Sequence, residues 1–124
     1  EEISGVEAGM ERFIDTSRNF IGVESIKQRQ KDGGSIKLAY LAFDDDVACE
    51  CWGNEAIYQG DELVGLTTGG TYGHRVGYSL TFAYIRPELV TQDTALKVMT
   101  SAGPRLAHVE MDAVYDPSNE RLRA

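Results

Sequence analysis

Between short turn signals the chain runs in segments of alternating or continuous apolar residues. Six of them, Ile36–Phe43, Glu55–Tyr58, Leu63–Thr68, Val76–Ile85, Ala95–Thr100 and Arg105–Met111, are mostly β-branched, aromatic or alternating. That composition suits half-buried pleated strands. Asp32-Gly33-Gly34, Trp52-Gly53-Asn54, Gln59-Gly60-Asp61, Gly69-Gly70, Gly73 and Gly103-Pro104 punctuate the sequence, and such glycine-rich clusters mark turns. Short strands at this spacing predict an all-β sandwich or barrel. Two hairpins are expected: one across Gln59-Gly60-Asp61, the other across Ser101–Arg105, with Gly103 taking the unusual dihedrals. Thr94, Leu96 and Val98 share one face. Leu106, Val109 and Met111 do not alternate cleanly, which predicts a bulge or an edge near His108.

One segment has a different period. From Gly22 to Lys31 there is no proline, Val23 and Ile26 recur at helical spacing, and Lys27, Gln28, Arg29 and Lys31 read as solvated. A short amphipathic helix is expected there, stopped by Asp32-Gly33. Glu7 to Ile14 is ambiguous, with Met10, Phe13 and Ile14 at helical spacing before the polar run Asp15–Asn19.

At 124 residues the chain has the length of one domain with a real core. Its net charge of −8 opposes nucleic-acid binding, which needs a basic face, and docking on anionic lipid. The longest apolar run, Leu38 to Phe43, is far short of the roughly 20 residues that span a bilayer. No secretory pattern is seen, so the expected location is intracellular, either bacterial cytoplasm or mitochondrial matrix. The first residue is Glu1, not Met, and the reading is a piece of a longer protein or a processed chain. Cys49 and Cys51 stand about 6.6–6.8 Å apart if extended, too far for an easy bridge. They are read as reduced thiols. His74 and His108 are the only histidines and neither neighbours the pair in sequence, so no metal site is expected.

Four motifs in order carry a family resemblance. They are Val6-Glu7-Ala8-Gly9-Met10, Asn19-Phe20-Ile21-Gly22, Leu63–Gly70 (LVGLTTGG) and Ser79–Pro87 (SLTFAYIRP). Together they resemble the aminomethyltransferase (glycine-cleavage T-protein) family from Val6 to about Arg123. Trp52–Tyr58, Tyr72–Gly77 and the tail Tyr115–Arg123 look most like the C-terminal end of dimethylglycine and sarcosine dehydrogenases. The resemblance implies a mainly β fold: a small six-stranded antiparallel, Greek-key-like barrel with one short N-terminal α-helix. Residues 1–20 would end a folate-binding domain, 21–34 would form the helix and linker, and 35–124 the barrel with its extended tail.

The function implied is that of a module of a flavin-dependent dimethylglycine/sarcosine dehydrogenase-like enzyme. It would help close the tetrahydrofolate cavity where the one-carbon unit is captured. Upstream folate-binding and flavin domains of the same parent chain are the implied partners, with FAD held only in the flavin domain. The chain has no GxGxxG fingerprint after a strand, and the family's catalytic aspartate lies upstream of the junction motif. No catalytic residue is therefore expected, and the fragment alone should not turn over substrate.

Three residues are the candidate folate contacts. Arg18 falls where the family places a folate-contacting arginine, and a guanidinium binds a carboxylate bidentately. His74 follows the glycine-rich segment Thr67–Gly70, read as a β-turn. Glu120 falls where the family has an aromatic, and Arg121 and Arg123 are alternatively partners for acidic residues of the missing domains. Val23 replaces the family's usual arginine, so any contact made by that group is lost. Trp52 is read as a packing residue capping the barrel, and Asp44-Asp45-Asp46 as a solvated hairpin tip. Two alternative readings are a non-catalytic, stand-alone interaction barrel and a family member acting on another methylated substrate.

Overall fold

The computed structural model describes residues 3–123. Six antiparallel strands close into a barrel: β1 (Lys37–Phe43), β2 (Ala56–Gln59), β3 (Glu62–Gly73), β4 (Tyr78–Ile85), β5 (Ala95–Thr100) and β6 (Gly103–Glu110). Around the barrel the order is β1-β4-β3-β2-β5-β6. Strands β2, β3 and β4 form a meander, and β1 lies beside β4, which is a Greek key traced from its far end. The expected barrel class is therefore observed. Helix α1 (Val23–Asp32) precedes it, and a four-residue helix, α2 (Glu120–Arg123), follows.

The barrel interior follows strand alternation. Leu41, Ile57, Ile85, Leu96, Val98 and Val109 are fully buried and belong to one cluster with Ala39, Phe43, Val64, Ala83 and Ala107. Hairpin β2–β3 turns at Gly60-Asp61, and β5–β6 pairs Thr100 with Gly103 across Ser101-Ala102. Gly103 has φ 97°, a left-handed conformation that glycine adopts without steric cost.

The register corrects three expectations. No irregularity occurs near His108: β6 pairs evenly with both β5 and β1. The alternation is clean once Arg105, Ala107 and Val109 point inward and Leu106, His108 and Glu110 outward. Leu106 misled the reading because an apolar residue stands outside while an arginine stands inside. Thr67–Gly70 is not a turn but the middle of β3, with a register shift between Thr67 and Gly69. Gly70 serves close approach: a Cβ there would meet Thr81 Cβ at 2.6 Å. Trp52 does not cap the barrel; it is 82 % exposed.

Helix α1 runs one residue beyond the expected end, and the Gly33 N–H closes it on the Arg29 carbonyl at 2.9 Å. Its anchor is Glu7, which is buried. The Glu7 carboxylate accepts from the Ser4 N–H at 3.0 Å and the Ser4 hydroxyl at 2.9 Å, and Arg29 lies 3.7 Å away. The Glu7 carbonyl accepts the Leu38 N–H at 2.8 Å, just inside β1. Glu7 thus joins junction, helix and barrel. The ambiguous segment 7–14 holds only a short 3-10 turn, Glu11–Phe13.

Candidate functional site

The segment Asp44–Cys51 crosses one end of the barrel as a polar strap. Arg105, buried at the start of β6, donates through Nε to Asp45 at 3.1 Å, through Nη2 to the same carboxylate, and through Nη2 to the Val47 carbonyl at 2.8 Å. Its guanidinium also lies 4.6 Å from the centre of the Phe43 ring. Farther along, the Cys49 N–H donates to Ser79 Oγ at 2.9 Å, and Cys51 bridges to Gly70. The acidic run is exposed, as expected, but it is not a hairpin tip: Asp44 and Asp45 pin the segment to His108 and Arg105 of β6. Both cysteines are free and buried, and burial pushes the Cys51 thiol up to about 11.

A second carboxylate organises the turn before β2. Glu55 accepts from the Trp52 N–H at 2.7 Å, from the Gly53 N–H at 3.0 Å and from the Thr67 hydroxyl. Burial opposes its charge, but these donors outweigh burial and hold its carboxyl below the usual value.

A large concavity lies elsewhere, where the tail folds back on the junction. A groove of about 1130 Å³ is lined by Arg12, Phe13, Arg75, Tyr115, Arg121 and Arg123, among others. Arg75 and Arg121 lie 5.9 and 5.3 Å from the centre of the Tyr115 ring, and Arg12 lies 4.6 Å from that of Phe13. Three parts of the chain meet here: the 3-10 turn, the β3–β4 loop and the tail. Asp116, at φ 48°, accepts the Glu120 and Arg121 N–H groups at 2.9 and 3.1 Å, which starts α2 and sets the tail arginines. Among the described residues no carboxylate ion-pairs with these four arginines. Guanidiniums so placed, beside aromatic faces, can hold carboxylates bidentately.

None of the three sequence-derived contacts lines this groove. His74 is exposed, its ring 5.2 Å from that of Tyr72, and the groove takes its neighbour Arg75. Glu120 is exposed at the start of α2, and the groove takes Arg121. Arg18 is exposed and ion-paired with Asp15 at 3.1 Å. Val23 is buried and packs the helix. The reading missed Arg12 and Tyr115 as groove residues, because nothing local in sequence reports that the tail returns to the junction.

Comparisons with known proteins agree with the fold. The glycine cleavage T-protein C-terminal barrel domain matches residues 37–116. Human mitochondrial dimethylglycine dehydrogenase is 32 % identical over 123 residues, covering 95 % of this chain and 14 % of that protein. A probable aminomethyltransferase of Thermococcus kodakarensis is 25 % identical over 118 residues, covering 94 % of this chain and 29 % of that protein. The crystal structure of the glycine cleavage system aminomethyltransferase T from Bartonella henselae superposes with a TM-score of 0.75 at 12 % identity, covering 86 % of this chain and 30 % of that one. The chain thus spans less than a third of the length of each of these relatives. No described helix is long and apolar enough to cross a membrane.

Proposed function

Since the chain belongs to the family of the glycine cleavage T-protein C-terminal barrel domain, we propose that it is the C-terminal module of a larger flavin-dependent dimethylglycine/sarcosine dehydrogenase-like enzyme. In this reading it forms one wall of a tetrahydrofolate cavity. The observation that carries the reading is the match to dimethylglycine dehydrogenase across 95 % of the chain. The groove supports it chemically: folate ends in glutamate carboxylates, and the groove offers guanidiniums beside aromatic rings. Arg18, His74 and Glu120 remain the proposed contacts from sequence, with Arg75 and Arg121 added from the groove.

The module would supply shape, exclusion of water and a carboxylate clamp. Acid–base chemistry and FAD would belong to the upstream folate-binding and flavin domains. The test uses the full-length parent protein. It should show a flavin spectrum bleached by an N-methyl amine and should bind tetrahydrofolate in calorimetry. Arg18→Ala should weaken that binding by roughly 1.5–3 kcal/mol, the range for hydrogen bonds to charged groups. A parent with neither flavin nor folate affinity would overturn the reading; unchanged affinity in the variant would remove Arg18 alone.

A further inference from the structure

We propose that the outer face of the barrel carries a divalent-cation site formed by Asp93, His108 and Glu110, suited to a first-row ion such as zinc. It is independent of the folate reading. The ligand atoms of the three residues lie within 4.8 Å of one another. His108 and Glu110 are two apart on β6 and so share its outer face. His108 is flanked in register by Ala42 on β1 and Ala95 on β5, whose short side chains leave the imidazole room.

The supporting shell is already built. Asp44 lies 2.7 Å from Nδ1 of His108, which turns Nε2 toward Glu110, 2.8 Å away. A carboxylate on one imidazole nitrogen is the arrangement that orients metal-binding histidines, and the Nε2–Glu110 contact is the one an ion would replace. Gln92 donates to Asp93 Oδ1 and to Glu110 Oε2, both at 3.0 Å, and accepts the Met111 N–H at 2.9 Å. The Asp93 N–H is held by the Val109 carbonyl at 2.9 Å. Two ligands are therefore fixed on β6 and the third in the turn just before β5, all before any ion arrives.

Charge is the second argument. Three carboxylates, Asp44, Asp93 and Glu110, converge on one imidazole. Among the described residues no lysine or arginine ion-pairs with any of them, and His108 alone, when protonated, pairs with Asp44 and Glu110, which leaves the carboxylates in excess. A divalent ion offsets that excess, and a set of one imidazole and two carboxylates suits zinc, cobalt or manganese better than soft ions. The exposed side of the site leaves positions for water.

Because the chain has only two histidines, the test is direct. The 124-residue chain is titrated with zinc chloride in a non-chelating buffer and followed by calorimetry and by the histidine ring signals in NMR, assigned with His74→Gln. The expected result is one zinc per chain, with His108 signals shifted and His74 signals unmoved. Asp44→Asn should lower the affinity 10–100-fold, the usual effect of losing an outer-shell partner. Asp93→Asn should lower it at least tenfold, with circular dichroism confirming the fold. No saturable binding, shifts at His74 instead of His108, or affinity unchanged in both variants would overturn the site.

Discussion

The clasp between Asp45 and Arg105 gives the sharpest test of what closes the barrel end. The Arg105 side chain is 6 % exposed and that of Asp45 is 45 % exposed. Asp45→Ala removes both carboxylate hydrogen bonds and leaves a buried guanidinium with only the Val47 carbonyl. Breaking a buried pair from one side costs about 3–5 kcal/mol. Here water reaches the half-exposed Asp45 side, so we expect about 2–3 kcal/mol. At about 4 °C per kcal/mol for a domain of this size, the thermal midpoint should fall by roughly 8–12 °C.

Arg105→Met removes the whole charge, including the buried Nη1 that has no partner, yet keeps a straight stem against Phe43. It should cost only about 1 kcal/mol. Urea denaturation of the two variants measures the contrast. If Arg105→Met proves as damaging as Asp45→Ala, the clasp is not an ion pair held under desolvation and the argument fails. A pH series adds a sign. The hydrogen bond from Arg105 holds the Asp45 carboxyl below its ordinary value, against the opposing effect of burial. The folded pKa is thus lower than the unfolded one. The stability from this group is complete above the unfolded pKa and is lost as pH falls through the folded value. Asp45→Ala should flatten the acid limb of the stability profile.

Three further outcomes follow from particular contacts. Gly65→Ala would place a Cβ against the Tyr84 carbonyl and 2.7 Å from Ile85 Cγ2; strand separation at β3–β4 should cost about 1–3 kcal/mol or more, read in the urea midpoint. Glu7→Ala should unlock α1 from the barrel, so amide exchange in Val23–Asp32 should accelerate while exchange in β4 and β6 stays slow. A native-like helix exchange rate would show that Glu7 is not the anchor. Cys51, buried with its thiol at about 11, should resist iodoacetamide at neutral pH until urea unfolds the chain; fast native labelling would contradict its burial.

The barrel was legible because inward positions of short strands repeat every second residue, and glycine clusters mark the corners. Helix α1 was legible from its 3.6 period and from Gly33. What escaped were the positions where chemistry and location part company. Arg105 is inward because a carboxylate and a carbonyl receive it, and a local pattern cannot see partners 60 residues away in the chain. Leu106 and Trp52 are outward although apolar. The clasp made by the exposed acidic run escaped because its two partners, Arg105 and His108, lie on β6. Gly70 of β3 was credited with turn geometry when the actual demand is the closeness of β4. The groove was illegible for the same reason: it exists only because the tail returns to the junction.

The distribution of arginines ties these threads together. Arg18, Arg29, Arg86 and Arg105 each ion-pair with a carboxylate. The other arginines in the sequence are Arg12, Arg75, Arg121 and Arg123, and all of them line one groove. In a chain of net charge −8, carboxylates are plentiful, and a random scatter would leave unpaired guanidiniums in several places. Asp116 is the one carboxylate among the described lining residues, so the four guanidiniums leave the concavity net positive, and their mutual repulsion opposes folding. Two of them are steadied by the Tyr115 ring and one by Phe13, but aromatic faces do not neutralise charge. The arrangement is therefore suited to an anionic occupant with several carboxylates, a requirement that the glutamate end of folate meets. An acidic segment of a neighbouring domain meets it too, and it would occupy the groove permanently. Full-length protein in which folate competes with nothing for the groove favours the first.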